Sequence, residues 1–287
     1  MSKLIKYGIT SLRKEFPTDS TCVEFIFDAL HSRKCSCGGV YSLIKGRRQF
    51  QCSKCRFQIA PTAGTIFHKS PTPLTLWFHA ILVFSSAKSG ISAKTMEREL
   101  EVTYKCAWRI LHFIRKSLTQ NTDKLKGDVE MDSAYFGGRK YGGKNNEKLG
   151  DAVRAKAVVF GAIERNGQIR TEMMPDNTSL SHKIFLEKNI SDKSRLMTDK
   201  TNRLDKVAKG YDRHSVDHSK GEYVRGDVYV NSIEAFWSHI KRSIKGTHKV
   251  ISKKHLQTYL DGFVFHYNNR YNDKQRFEVL LDTLLHA

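Results

Sequence analysis

The sequence predicts an α/β protein of several domains: a small module with paired cysteines, a helical module and a larger domain built on a mixed sheet. Two cysteine pairs flank a short basic hairpin, and the pattern after them is helical throughout. After a polar segment, strand patterns alternate with helical ones, which is typical of a layered α/β domain. We place an arm at 1–20, the cysteine module with its preceding helix at 21–69, the helical module at 70–120 and the sheet domain at 125–287.

The composition indicates a polyanionic partner. The 287 residues carry a formal net charge of +20, with a pI near 9.7. A solvated basic surface usually balances its acids, so this excess favours nucleic acid, which binds through phosphate contacts and counterion release. An anionic membrane surface is the weaker alternative, because no basic amphipathic helix or lipidation signal is present. The basic blocks are spread along the chain: Lys45–Arg48, Arg139–Lys140, Lys241–Arg242 and Lys253–Lys254.

Neither a secretory signal nor a membrane span is expected. The N-terminus, Met1–Lys6, lacks the apolar run of a signal peptide. The longest apolar stretch, Leu74–Phe84, contains His79 and is too short to cross a bilayer. We therefore expect a cytoplasmic protein, in which the six cysteines do not form structural disulfides.

The cysteine spacing predicts one structural zinc ion. Two pairs flank a basic hairpin, the layout of a zinc ribbon, whose small sheet does not fold without metal. The first pair is Cys-x-Cys, shorter than the usual Cys-x-x-Cys. Either this pair chelates through a distorted turn, or His31 or His68 takes the place of its first cysteine. The predicted ligands are Cys35, Cys37, Cys52 and Cys55.

The segment after the ribbon contains a candidate helix-turn-helix. An apolar helix is predicted at Leu74–Ser86, a short one at Ser92–Leu100 with a serine N-cap, and a longer one at Lys105–Leu118. The second and third helices are joined by a tight turn, and the third carries several Lys and Arg residues. We expect contacts with DNA bases and phosphates from Tyr104, Lys105 and Arg109. The alternative is an ordinary helical bundle with a basic outer face.

The C-terminal part reads as a mixed α/β sheet domain of the ribonuclease-H-like kind. Thr119–Gly127 is the candidate linker before it. The order strand, strand, strand, helix, strand, helix matches a layer built on a mixed sheet, as in ribonuclease-H-like domains, in which the first and fourth strands are neighbours. The predicted strands are Asp128–Gly138, Ala155–Ala162, Gln168–Met174 and Arg195–Asp199. The predicted helices are Leu180–Asn189, one ending near Lys209, one from Val230 and one at Lys253–Asn269.

Three acids in this domain are candidate ligands for Mg²⁺ or Mn²⁺. Asp132 lies inside the first strand, Asp199 ends the fourth, and Glu234 lies on an amphipathic helix. Converging carboxylates need cations between them, and oxygen-only ligands select hard divalent ions. Two such ions per site can serve phosphoryl chemistry. We expect Lys241, two turns beyond Glu234, and the adjacent Arg242 to contact the DNA backbone. The remaining acids Glu130, Asp151 and Asp205 are expected to be solvated surface groups.

Several motifs resemble those of bacterial insertion-sequence transposases of the DDE class, in the group with an N-terminal zinc ribbon. The resemblance covers nearly the whole chain from about residue 16. It implies a ribonuclease-H-like catalytic core with Asp132, Asp199 and Glu234 as its triad and Lys241 as the accompanying base. The motifs that carry it are Thr62–Lys69, Lys88–Ala93, Glu130–Gly138, Thr198–Asp199, Val230–Arg242 and His255–Arg270.

The resemblance has departures. Many members have an acid after the first aspartate, where this chain has Ser133, and some use asparagine as the third catalytic residue. Asn231 is therefore a secondary candidate beside Glu234.

The resemblance implies an enzyme that binds terminal inverted repeats, hydrolyses DNA at the ends of an element and joins the freed 3′-hydroxyl to target DNA. Synapsis of two ends implies a homodimer or a larger assembly. Two alternatives stay open: a DNA-binding protein with an inactive or repurposed catalytic domain, and a metal-dependent nuclease that does not join strands.

Overall fold

The computed structural model describes residues 6–137 and 156–287. It divides the chain into two compact units, one formed by Met1–Leu118 with Asn269–Ala287 and the other by Thr119–Asn268. The C-terminal residues thus group with the first unit, whereas the sequence-based boundary placed them in the sheet domain. Five features of the sequence analysis lie outside the described residues: the start of the N-terminal arm, Gly138 at the end of the first predicted strand of the sheet domain, the basic pair Arg139–Lys140, the acid Asp151 and the first residue of the strand predicted from Ala155.

The first unit begins with two helices and a three-stranded antiparallel sheet. Phe27 of the second helix stacks on Phe50 of the sheet with ring centroids 3.8 Å apart, so the helix and the sheet share one core. Thr18 caps the second helix by accepting a hydrogen bond from the amide of Thr21. These elements are α1 (Ile9–Glu15), α2 (Asp19–Leu30), β1 (Tyr41–Leu43), β2 (Phe50–Cys52) and β3 (Gln58–Ile59).

Three further helices, α3 (Leu74–Ser86), α4 (Ala93–Leu100) and α5 (Tyr104–Ser117), lie where the sequence predicted them. A C-terminal helix, Asp273–Leu285, completes the unit and was not predicted. Its Arg276 is buried, and the guanidinium donates hydrogen bonds to the carbonyl of Ser85 at the end of α3 and to the carbonyl of Asn269. Within the described part of the chain, no helix has both the length and the apolar character that a membrane span requires.

The second unit is built on a five-stranded mixed sheet with the order β6-β5-β4-β7-β8. The pairs β4–β5 and β5–β6 are antiparallel, whereas β4–β7 and β7–β8 are parallel. The prediction that the first and fourth strands of this domain are neighbours is confirmed. The fifth strand was not predicted. The strands are β4 (Asp128–Phe136), β5 (Ala157–Glu164), β6 (Ile169–Met174), β7 (Arg195–Asp199) and β8 (Asp212–Val216).

Helices cover the two faces of this sheet: α6 (Ser179–Asn189), α7 (Asn202–Asp205), α8 (Asn231–Ser243) and α9 (Lys253–Asn268). Side chains alternate between the faces along a strand. Met131 of β4 belongs to the core that contains α6, and Phe136 belongs to the core that contains α8 and α9. Even-numbered positions of β4 therefore face α8, and Asp132 is one of them.

Candidate active site

Strand pairing brings Asp132 and Asp199 to the same edge of the sheet. In the parallel pair of β4 and β7, Met131 lies opposite Thr198, and each aspartate is the next residue on its strand. The amide of Ser133 donates a hydrogen bond of 2.6 Å to Oδ1 of Asp132. The buried Oδ1 of Asp199 accepts no hydrogen bond within the described residues. Two carboxylates with an unsatisfied buried oxygen indicate a place where a cation is favourable.

Helix α8 presents Glu234 to this edge. Its apolar stripe is buried against the sheet, as the sequence predicted, and Trp237 is 3% exposed. The helix approaches β5 closely at Gly161, where a Cβ atom would lie 2.4 Å from Cζ2 of Trp237. Because only glycine leaves room for this ring, the contact fixes the position of the helix on the sheet. Glu234 lies three residues before Trp237 on the same helix.

His218 lies between two of the acids. Its Nδ1 is 3.4 Å from Oδ1 of Asp199 and 3.6 Å from Oε1 of Glu234, and its ring centroid is 4.9 Å from that of Tyr223. The residue follows β8, which pairs in parallel with β7, so it reaches the edge where Asp199 lies. The sequence analysis missed His218 because it did not predict β8, and no local motif marks this histidine.

The three acids form one electrostatic site. Burial, followed by the negative charges of Asp199 and Glu234, raises the pKa of Asp132 to about 7, against the lowering effects of the Ser133 amide and of Lys241. Burial raises the pKa of Asp199, and His218 partly offsets the effect. Burial also raises the pKa of Glu234, with His218 lowering it and Asp199 raising it. All three carboxylates are therefore costly to ionise together, and a bound cation would lower that cost.

The carboxylate oxygens of the three acids fit a hard divalent cation. These oxygens lie farther apart than the sulfur atoms of the four cysteines. Carboxylate oxygens are the ligands that Mg²⁺ and Mn²⁺ prefer. Among described His, Cys, Asp and Glu side chains, the cysteine cluster is the group of three or more whose ligand atoms all lie within 4.8 Å of one another. Asp132, Asp199 and Glu234 do not meet that spacing, as expected for like charges without a cation between them.

The other predicted residues of α8 differ in their surroundings. Lys241 is exposed and lies close enough to lower the pKa of Asp132. Arg242 is exposed and donates a hydrogen bond of 2.8 Å to Ser238 of its own helix. Asn231, the secondary candidate, is exposed at the first residue of α8. Lys241 therefore acts electrostatically on Asp132, and the role of Asn231 stays a prediction.

The three acids that were expected to be solvated surface groups differ from one another in the structure. Glu130 was expected on the surface, and this expectation is wrong: the side chain is completely buried. It accepts hydrogen bonds from the start of α8 and from Arg165, contacts that depend on the tertiary fold. Asp205 is 54% exposed and pairs with Arg213, as a surface acid would. Asp151 lies outside the described residues.

A cavity of about 180 Å³ opens beside Asp132 and Asp199. His182 lines it, stacks on Phe160 with ring centroids 4.3 Å apart, and places Nε2 2.8 Å from Oδ1 of Asn177. Burial, followed by the charges of Arg203 and Arg213, lowers the pKa of His182 to about 4, so its ring is neutral at pH 7. The walls beside the two aspartates are thus polar but carry no charged imidazole. The lining includes Asn177, His182, Thr198, Thr201 and Arg203.

The four predicted zinc ligands converge in the first unit. The Sγ atoms of Cys35 and Cys55 are 3.7 Å apart, and those of Cys37 and Cys52 are 3.5 Å apart. Tetrahedral zinc with Zn–S bonds of about 2.3 Å requires sulfurs about 3.8 Å apart. The Tyr41 hydroxyl, by hydrogen bonding, is the largest of the effects that lower the pKa of Cys35 to about 6, which favours a thiolate ligand.

The cysteine cluster is consistent with a zinc ribbon. It also bears on whether the shortened Cys-x-Cys pair binds the metal or a histidine replaces its first cysteine. Both members of the Cys-x-Cys pair take part in the group, and neither His31 nor His68 does. The arrangement therefore favours chelation by the shortened pair over substitution by a histidine.

Helices α4 and α5 are joined by a tight turn. Between them the chain turns at Glu101, whose φ of 53° is left-handed, and Thr103 caps α5. Tyr104 and Lys105 are exposed at the start of α5, as a role in contacting DNA requires. The predicted DNA contact Arg109 instead donates hydrogen bonds to Thr72 (3.0 Å) and Ser70 (3.4 Å).

The sequence analysis missed one residue on the same surface of α5. Trp108 is 42% exposed and stacks on His112 with ring centroids 4.9 Å apart. An exposed aromatic ring four residues after Tyr104 extends the contact surface that α5 offers. Exposure cannot be judged from a helical pattern in which Trp108 reads as one more apolar position.

Comparison with known proteins agrees with the geometry. The chain is similar to an uncharacterized protein in the transposable element ISH50 of Halobacterium salinarum, with 26% identity over 260 residues that span 83% of this chain and 85% of the relative. The sequence profile of the ISXO2-like transposase domain matches residues 124–268, which include Asp132, Asp199 and Glu234. The matched range is half of the chain and contains the whole mixed sheet with α8. The chain therefore belongs to the ISXO2-like transposase domain family.

Proposed function

We propose that this protein is the DNA transposase of an insertion sequence. It hydrolyses a DNA strand at the element end and transfers the freed 3′-hydroxyl to target DNA. The observation that carries the proposal is the convergence of Asp132, Asp199 and Glu234 at one edge of the sheet, around His218, in a member of a transposase family. The net charge of +20 supports DNA as the substrate.

Asp132, Asp199 and Glu234 would hold the divalent cations, Mg²⁺ or Mn²⁺, with two ions in the active site. When bound, two such ions activate an attacking oxygen and stabilise the leaving oxygen at phosphorus. Lys241, which is exposed and acts electrostatically on Asp132, would contact a phosphate of the DNA, and the exposed Arg242 would extend this basic surface along α8.

The reaction needs no covalent enzyme intermediate. In the first step water attacks the phosphorus at the element end, and the 3′-oxygen leaves as a hydroxyl. In the second step that 3′-hydroxyl attacks a target phosphodiester, and a target 3′-oxygen leaves. In the joining step one phosphodiester is broken and one is formed. Because both steps are attacks of a water or hydroxyl oxygen on a phosphodiester, the same carboxylate site serves both reactions.

Recognition of the terminal inverted repeats is assigned to the first unit. One zinc ion held by the four cysteines stabilises the ribbon, and the start of α5 offers Tyr104 and Lys105 to DNA, with Trp108 beside them. Arg109, which also donates hydrogen bonds to Ser70 and Thr72, is the third predicted DNA contact of this helix. Synapsis of two element ends requires a homodimer or a larger assembly, acting on DNA in the cytoplasm.

A strand-transfer assay tests the proposal. The substrate is labelled DNA carrying the terminal repeats that flank the gene, incubated with the zinc-loaded protein, target DNA and Mg²⁺. We expect a nick at the element end followed by a joined product. Binding without cleavage would contradict the enzyme function and favour a DNA-binding protein. Cleavage without a joined product would favour a metal-dependent nuclease.

A further inference from the structure

Glu130 is a buried carboxylate two residues before Asp132 on β4. None of its side-chain surface is exposed. Both residues point to the face of the sheet that α8 covers, because side chains alternate along a strand. Burying a carboxylate costs free energy unless hydrogen bonds satisfy its oxygens. The hydrogen-bond partners of Glu130 therefore indicate its structural role.

Its partners are the first turn of α8. Oε2 of Glu130 accepts hydrogen bonds from the amides of Ser232 (2.8 Å) and Ile233 (3.2 Å), and Oε1 accepts one from the hydroxyl of Ser232 (3.0 Å). The residue that precedes the helix, Val230, provides no side-chain cap. The first amides of a helix lack partners within the helix, and a negative charge is favourable there. A carboxylate from the sheet thus caps α8.

Arg165 completes the arrangement. Its Nε donates a hydrogen bond of 3.0 Å to Oε1 of Glu130. Its terminal nitrogens donate to the carbonyls of Asp227 (2.8 Å) and Tyr229 (3.1 Å), and its guanidinium lies 3.7 Å from the centroid of the Tyr229 ring. One side chain therefore holds both the segment that enters α8 and the carboxylate that caps it.

We propose that Glu130 and Arg165 are positioning residues that set the placement of Glu234 relative to Asp132 and thereby the affinity of the site for divalent cations. Glu130 joins the strand that carries Asp132 to the helix that carries Glu234. Glu234 lies two residues after Ser232, within the turn that Glu130 caps. This inference rests on the proposed function, because it assumes that the carboxylates bind cations.

The test compares Glu130→Gln with a matched control. Glutamine keeps the size of the side chain but removes its charge and replaces one acceptor oxygen with a donor. The control is Asp261→Asn, a mostly buried carboxylate of the same unit that accepts hydrogen bonds from Gln120 (2.7 Å) and Gln257 (2.9 Å). Mn²⁺ affinity is measured by calorimetry on the full zinc-loaded chain, and amide exchange in α8 is measured by mass spectrometry.

We expect Glu130→Gln to weaken Mn²⁺ binding about tenfold or more, as for residues that orient metal ligands. The amides of Ser232 and Ile233 should also exchange faster than in the wild type. Asp261→Asn should leave both properties unchanged. Equal Mn²⁺ affinity in Glu130→Gln and wild type would overturn the inference, and so would an equal loss in the control.

If Glu130→Gln does not fold, Arg165→Lys carries the test. Lysine keeps the positive charge but cannot hold Glu130 and the two carbonyls with one planar group. A weaker Mn²⁺ affinity supports the inference, and an unchanged affinity overturns it. A wild-type chain that neither binds Mn²⁺ nor cuts DNA overturns the proposed function and this inference together. If the wild type binds Mn²⁺ and the variants bind it equally well, the inference is overturned but the proposed function is not.

Discussion

The cysteine cluster and the carboxylate site are two candidate metal sites that are assembled in opposite ways. The four cysteines come from one short segment of the first unit, and their sulfur atoms lie within 4.8 Å of one another. The three carboxylates of the second unit come from β4, β7 and α8 and do not reach that spacing. Hydrogen bonding with Tyr41 lowers the pKa of the Cys35 thiol to about 6, which favours the thiolate that zinc binds, whereas burial raises the pKa values of all three carboxylates.

The difference shows what each metal would contribute. Zinc would provide folding energy to a ribbon too small to fold alone. A divalent cation at the carboxylates would contribute little to folding, because the sheet and its two apolar cores already hold the strands and α8 in place. Structural and catalytic metal sites are thus expected to respond differently to metal removal and to substitution.

Loss of zinc is expected to have the largest effect. Cys35→Ser should abolish stoichiometric zinc and unfold the ribbon, since structural zinc sites contribute about 10 kcal/mol or more of folding energy. Amide protection should be lost around β1–β3 and retained in β4–β8. Zinc content by atomic emission and amide exchange by mass spectrometry measure the two effects.

Histidine variants are the matched controls for this prediction. His31→Ala and His68→Ala should each keep one zinc ion per chain, because neither histidine belongs to the cysteine group. Loss of zinc from either variant would mean that a histidine is a ligand, as the short Cys-x-Cys spacing first allowed.

Removing a carboxylate should abolish the reaction without unfolding the chain. Asp199→Asn is expected to slow strand cleavage about a thousandfold or more, because it removes several kcal/mol of transition-state stabilisation. Asp205→Asn, which changes an exposed acid paired with Arg213, should cleave at the wild-type rate. Cleavage of labelled end DNA in Mg²⁺ gives both rates. Normal cleavage by Asp199→Asn would refute the proposed triad.

The metal-free carboxylate site should make stability depend on pH. The pKa of Asp132 rises from its ordinary 3.8 to about 7 on folding, so the folded state binds more protons than the unfolded state between these values. The free energy of unfolding should therefore fall as pH increases from about 4 to about 7, by about 2–4 kcal/mol. Below and above this window the contribution of Asp132 is constant.

Two comparisons check the assignment of this pH dependence. The protein is treated with EDTA and reloaded with zinc, and its free energy of unfolding is measured with urea at pH 5 and pH 8. The Asp132→Asn variant should show a smaller decrease in this free energy between the two pH values than the wild type. Mg²⁺ should stabilise the wild type more at pH 8 than at pH 5, because cation binding needs the ionised carboxylate. Equal slopes in wild type and variant would show that another group causes the decline.

The smallest effects are expected in DNA binding by α5. Lys105→Ala should weaken binding to end DNA about tenfold and reduce its salt dependence by about one phosphate contact. Trp108→Ala should weaken binding with an unchanged salt dependence, since its ring carries no charge. Lys116→Ala, an exposed lysine near the other end of α5, is the control and should bind as wild type does. Fluorescence anisotropy at several salt concentrations separates these outcomes.

The sequence predicted local features better than features that depend on long-range packing. The cysteine spacing, the α4–α5 pair and the strand that carries Asp132 each depend on neighbouring residues, and the structure shows all of them. The pairing of β4 with β7 was also predicted, because the order of elements matches that of ribonuclease-H-like domains, in which the first and fourth strands are neighbours.

The remaining features lack a local signal. Glu130 looks like any surface acid, and its burial depends on Arg165 and the start of α8, which are distant in sequence. His218 reaches Asp199 only because β8 pairs with β7, and the polar strand Asp212–Val216 has no apolar run. The helix Asp273–Leu285 does have a helical apolar pattern at Phe277, Leu280 and Leu284, and the sequence analysis ended before it.

The central claim is that two chemically distinct metal sites occur in this chain and that the carboxylate site is completed only by its cation. Anomalous diffraction from crystals of the zinc-loaded protein soaked in Mn²⁺ tests it most directly. The account predicts a zinc peak among Cys35, Cys37, Cys52 and Cys55, and manganese held by Asp132, Asp199 and Glu234 with their carboxylates drawn together. Manganese absent from the three acids in otherwise ordered crystals would contradict it.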